Sequence, residues 1–135
     1  MLVGLVVVSG AYADDYRQQV AGQIELIKES WEAAGYRSSH NIYYDRMDDS
    51  EIDTHTFNLS EGLEYAISAA CDNDCADIDS YLYDSAGNLI DSDEGPDDIP
   101  IVTHRATWTG RYTLKIKMYD CRETYCETGI LVMKR

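Results

Sequence analysis

Two periods divide this chain. From Tyr16 the apolar residues recur at steps of three and four: Tyr16, Val20, Ile24, Ile27 and Trp31, with Arg17, Gln18, Gln23, Glu25, Lys28 and Glu29 between them. That spacing lays one apolar stripe along a helix. Asp14 or Asp15 can cap its start and Gly35 is a natural stop, so an amphipathic helix is expected over residues 14–35. The stripe is expected to pack on the rest of the chain, with docking on a partner as the competing use. Residues 36–53, with Ser38-Ser39, Asp45 and Asp48-Asp49-Ser50-Glu51, read as a polar connection in which Tyr43-Tyr44 can pair as a short strand.

Beyond residue 53 the period becomes two. Phe57 and Leu59 alternate with polar neighbours, and Leu63, Tyr65, Ile67 and Ala69 do the same after Glu61-Gly62. Ile78 and Leu82 face one way; Asp79, Tyr81 and Tyr83 face the other. Asp84-Ser85-Ala86-Gly87-Asn88 reads as a hairpin turn with Leu89-Ile90 opening the return strand. Asp91–Asp98 reads as an acidic loop, after which Ile99, Ile101 and Thr103 alternate. The clearest strand is 111–117, where Tyr112, Leu114, Ile116 and Met118 share one face and Arg111, Thr113, Lys115 and Lys117 the other. Ile130-Leu131-Val132-Met133 is short enough for a buried strand. Seven or eight short strands without intervening helices predict a mostly β fold: an antiparallel, jelly-roll-like β-sandwich over 54–135, preceded by one helix.

The N-terminal residues set the compartment. Leu2–Val8 is an apolar run followed by Ser9, Gly10 and Ala11-Tyr12-Ala13, which places small residues where signal peptidase cleaves, so residues 1–13 read as a secretory leader cut before Asp14. The run is too short to span a bilayer. A Lys- or Arg-bearing region normally precedes such a run and only Met1 does here, so either the true start codon is expected upstream or the leader is truncated at its start. The product is therefore expected in the periplasm or outside the cell. In that setting Cys71, Cys75, Cys121 and Cys126, even in number and closely paired, predict two disulfides over a zinc site, because His40, His55 and His104 are scattered. Three connectivities are open. Local pairing is the one predicted, since each pair brackets a short polar loop, and small loops of this kind are expected to shape their own residues more than to hold the sandwich.

Charge narrows the ligand. With 25 acidic and 11 basic side chains in 135 residues the net charge is −14. Such a surface repels phosphate backbones and anionic headgroups, which argues against nucleic-acid and membrane partners and leaves cations and basic partners, the ligand itself being expected to be a protein or a polysaccharide. No Gly-x-Ser-x-Gly elbow, His-Glu-x-x-His or phosphate-cradling loop is present, so no enzyme is expected. The Asn58-Leu59-Ser60 sequon reads as idle strand sequence. A three-residue turn at Ser85-Ala86-Gly87 would set Asp79 opposite Asp93, with Asp77, Asp91, Asp97 and Asp98 close by and no Lys or Arg between 47 and 104. Like charges in cross-strand pairs repel, and a calcium ion held by these carboxylates, the Asn73 amide and loop carbonyls would relieve them. Tyr81 and Tyr83 are a possible ligand face that can stack on sugar rings, although packing beneath the helix is their expected use.

The segments Phe57-Asn58-Leu59, Gly62-Leu63-Glu64-Tyr65-Ala66-Ile67, Asp77–Asp84, Gly87-Asn88-Leu89-Ile90 and Thr109-Gly110-Arg111-Tyr112-Thr113-Leu114 together resemble the bacterial pre-peptidase C-terminal domain, over roughly residues 54–134. Ser80 stands where that family has Leu. The resemblance implies a small jelly-roll sandwich of the kind appended to secreted hydrolases, where it assists secretion or binds substrate polymers, with calcium in some members. The expected role is an exported non-catalytic binding or accessory module. The alternative is a chaperone, pro-region-like or inhibitory partner of an exported protein such as a protease, acting through the N-terminal helix.

Overall fold

A computed structural model describes residues 3–135, with side chains from residue 15 onward; the leader expected over residues 1–13 and its cleavage site lie outside the described side chains. Helix α1 runs Val3–Ala33. It begins before the expected Asp14, because no proline interrupts residues 3–33, so neither Asp14 nor Asp15 is its cap. Its stop is as expected. Gly35 takes φ of 92°, and the N–H groups of Gly35 and Tyr36 donate to the carbonyls of Glu32 and Trp31.

The strands, in chain order, are β1 (Arg37–Ser38), β2 (Tyr43–Met47), β3 (Ile52–Leu59), β4 (Glu64–Cys71), β5 (Cys75–Tyr83), β6 (Leu89–Asp93), β7 (Ile101–Arg105), β8 (Gly110–Cys121) and β9 (Cys126–Lys134). They form two antiparallel sheets. In one, β1 and β2 both pair along β9, which is followed by β4 and β7; the other runs β3-β8-β5-β6. Between them lies the core: Tyr65, Ile67, Val102, Ile130 and Val132 from the first sheet meet Leu59, Ile78, Leu82, Tyr112, Leu114, Ile116 and Met118 from the second. This is the expected β-sandwich, with Ser80 buried among the inward residues of β5.

A third layer covers one sheet only. Val20 and Ile24 of α1, both fully buried, rest on Ala66, Ala70, Leu131 and Met133, flanked by Ile27, Trp31, Tyr36 and Tyr44. Burying each of those two side chains contributes about 2 kcal/mol. The close approach depends on Gly129, where a Cβ would stand 2.9 Å from Val20 Cγ1. Strands β4 and β9 are consequently buried on both faces, so β4 is not the half-exposed strand that its alternation suggests.

Two segments depart from expectation. Residues 36–53 are not a connection but supply β1, β2 and the start of β3, because Tyr36, Ile42 and Tyr44 pack under the helix and Met47 enters the core. On β7 the buried residue is Val102 while Ile101 is exposed, which shifts the inward face by one from the Ile99-Ile101-Thr103 set. The disulfides are the local pairs, Cys71–Cys75 and Cys121–Cys126. Each joins a strand of one sheet to a strand of the other, β4 to β5 and β8 to β9. They hold the two sheets together at one end, beyond the loop-shaping role expected from their spacing.

Candidate binding face and its acidic edges

Because Tyr112, Leu114, Ile116 and Met118 turn inward, β8 presents Arg111, Thr113, Lys115, Lys117 and Tyr119 on the outer face of the four-stranded sheet. Register builds the rest of that face. Tyr83 lies opposite Thr113, Tyr81 opposite Lys115 and Asp79 opposite Lys117, while Asn58, Thr56 and Thr54 of β3 oppose Arg111, Thr113 and Lys115. The Lys115 ammonium sits 5.3 Å from the Tyr83 ring centroid. The Tyr81 hydroxyl donates to Glu94 Oε2 at 2.9 Å, and burial together with that carboxylate pushes it up to about 12. Helix α1 lies over the opposite sheet, so Tyr81 and Tyr83 do not pack beneath it as expected. Among the described residues the ion pairs are Arg46–Glu127, Arg105–Glu64 and Arg135–Glu64, so Arg111, Lys115 and Lys117 are left without one.

The hairpin acids are arranged differently from the expected register. A bulge between Leu82 and Tyr83 sets Leu82 against Asp91 and Ser80 against Asp93, so Asp79 does not face Asp93. Its cause is the turn itself, where Asp84 Oδ1 accepts the N–H groups of Ala86 and Asn88. Asp91 and Asp93 then reach across to the other sheet: Asp91 Oδ2 accepts from Thr103 N–H and Asp93 Oδ2 from Ile101 N–H, each at 2.9 Å. Two sheet edges, β6 and β7, are thereby joined by side-chain carboxylates where no strand ladder connects them. Asp97 Oδ1 accepts from Ile99 N–H. The Asn73 amide lies elsewhere, in a loop whose backbone N–H meets Gln19 of the helix. Among the described residues no group of three or more His, Cys, Asp or Glu is placed to hold a metal ion.

Asp77 and Asp79 remain as a pair, each with a buried Oδ1 that has no donor. Asp79 is 5% exposed. Burial first, then the charges of Asp77 and Glu94, push it up to about 6, so below that pH it holds a proton that it shares with Asp77, and at neutral pH it is ionised against the opposition of its burial. A second carboxyl contact was hidden in the acidic run read as a connection. Asp53 of β3, half-buried and beside Asp45 of β2 and Glu51, is pushed up to about 8 at the other edge of the sandwich, by burial first and then by those two carboxylates. The histidines stay apart, His40 against Phe57, His55 against Tyr43 and His104 against Tyr112.

No family model and no curated protein matches the sequence. Among solved structures, the pre-peptidase C-terminal domain of a Bacillus anthracis collagenase is similar with a TM-score of 0.55 and 16% identity, over 68% of this chain and 87% of that one. A periplasmic inhibitor of g-type lysozyme from Aeromonas hydrophila is similar with a TM-score of 0.53 and 10% identity, over 76% of this chain and 90% of that one. At these identities the likeness is one of fold. The pre-peptidase C-terminal-like β-sandwich expected from the sequence is the one found.

Proposed function

We propose that this chain is an exported, non-catalytic binding module whose ligand, a polysaccharide or a protein, meets the outer face of the four-stranded sheet. One observation carries the reading: the helix seals one sheet, while the other presents Tyr81, Tyr83, Lys115 and the β3 hydroxyls in cross-strand register. Tyrosines in such a row offer apolar area with polar tips, which suits a ligand that must stay wet at its edges. The two disulfides support export, since such bonds persist in oxidising compartments. The test is retention on insoluble polysaccharides and on immobilised exported proteins. Replacing Tyr81 and Tyr83 by Ala is expected to abolish retention with the circular dichroism spectrum unchanged; undiminished retention would refute the assignment of the face.

An inhibitory module is the second reading, favoured by the charge of −14, which suits a basic enzyme as partner. The lysozyme inhibitor similar in fold suggests the assay: lysis of cell-wall suspensions by a g-type lysozyme, with and without the purified chain. Unaltered lysis would remove that partner. The helix is not the docking element in this reading, because Val20 and Ile24 are buried against the sheet.

A further inference from the structure

The loop between β7 and β8 carries a feature that the binding face does not use. Trp108 lies along the inward end of β8, stacked on the fully buried Tyr112 with ring centroids 5.3 Å apart and planes at 27°. The Tyr112 hydroxyl donates to the Trp108 carbonyl at 3.1 Å, which fixes the loop over the ring. Beneath the indole is Gly110. A Cβ there would overlap Trp108 Cζ3, so the ring lies down only because residue 110 has no side chain. The indole is thus held from below by a buried ring and a bare backbone, yet 36% of Trp108 remains exposed. Its Nε1–H has no partner among the described residues. A side chain that only sealed the end of the core would need neither a glycine cut to its ring nor a third of its surface in solvent.

We propose that Trp108 is a platform for one pyranose ring of a neutral saccharide, a site separate from the outer sheet face. The chemistry follows from the surroundings. Axial C–H groups on one side of an all-equatorial pyranose lie flat against the negative face of an indole, and the equatorial hydroxyls then point to the rim. The rim here is polar. Thr107 and Thr109 flank the indole in sequence and are both exposed, and Thr109 Oγ1 accepts the Glu61 N–H at 2.8 Å, which leaves its own hydroxyl proton to donate to a ligand. With a net charge of −14 on the chain, a neutral sugar is favoured over an anionic one.

The chain has two tryptophans, and they separate cleanly: Trp31 Nε1–H is engaged by Ser68 Oγ at 3.1 Å under the helix. The experiment is an amide and indole N–H NMR titration of the unmodified chain with cellotetraose, whose internal rings carry only equatorial hydroxyls. Expected is a saturable shift of the Trp108 indole and of the Glu61, Thr107 and Thr109 amides at millimolar ligand, with the Trp31 indole unmoved. A mannan oligosaccharide, with an axial hydroxyl, is expected to bind about tenfold more weakly. Trp108→Ala is expected to abolish the shifts. Absence of a saturable shift, equal binding by Trp108→Ala, or shifts confined to Tyr81, Tyr83 and Lys115 would overturn the proposal. The last of these would leave the sheet-face reading standing.

Discussion

Asp79→Asn is expected to make this protein more stable, and only above acidic pH. The buried carboxyl has an ordinary value of 3.8 and stands at about 6 in the fold, so the folded chain holds this proton more tightly than the unfolded one. Stability from this group is therefore greatest below about pH 4, falls as the pH rises through the interval from 3.8 to about 6, and stays low beyond it. Two units at about 1.4 kcal/mol each give a ceiling of about 3 kcal/mol. Asparagine keeps the shape and a donor for Asp77 while removing the charge that burial opposes. At about pH 7.5 the variant should gain up to about 3 kcal/mol over the parent, which is roughly 10 °C in melting midpoint for a chain of this length. Near pH 4 the two midpoints should converge. Asp53, pushed up to about 8, steepens the pH dependence of both proteins alike and cancels from the difference. The assay is thermal unfolding of both proteins across that pH range with disulfides intact. A variant less stable at neutral pH, or an offset independent of pH, would refute the reasoning.

Gly129→Ala places a methyl against Val20 Cγ1 and should lift the helix from β9, lowering the unfolding free energy by about 1–3 kcal/mol in urea titration. An unchanged midpoint would mean that the helix yields without cost. Asp93→Ala removes the acceptor for the N–H groups of Gly95 and Ile101 and is expected to cost about 1–2 kcal/mol, with faster amide exchange at Ile101 than at Val132 in the middle of β9. We retain calcium as a proposal at Asp77 and Asp79, whose unsatisfied oxygens a divalent cation would share in place of the proton. Millimolar calcium against chelator at neutral pH should raise the parent's midpoint and leave Asp79→Asn unmoved; an equal midpoint in the parent retires the site.

What was legible in the sequence was whatever a local period or a local turn decides. Arg111–Met118 could be split into an inner and an outer face because each residue on β8 obeys the strand period, and Gly35 could be named as a stop because only its backbone is at issue. What was not legible depended on partners far along the chain. The Asp84-capped turn adds a bulge that moves Asp93 from Asp79 to Ser80, and nothing within the hairpin's apolar pattern records that single-residue shift. Tyr81 and Tyr83 were placed on an outward face correctly, but which sheet the helix would cover was decided by Gly129 and the small residues Ala66 and Ala70. The Asp45–Asp53 contact was hidden for the same reason: its two members belong to different sheets.

The placement of the cross-links also bears on how the chain matures. Cys71 and Cys75 are 4 residues apart and Cys121 and Cys126 are 5, so each bond closes a very small loop. Loop closure at such spacing is faster than any pairing across the fifty or so residues between the two sites, and it carries a smaller entropic cost. The kinetically preferred partners and the final partners are then the same. An emerging chain can be oxidised at each corner as soon as that corner is exposed, before the sheets have met, with no wrong bond to be reshuffled. The expected consequence is oxidative folding that an oxidant alone completes, with the same two bonds formed at the same rate whether or not a disulfide isomerase is added.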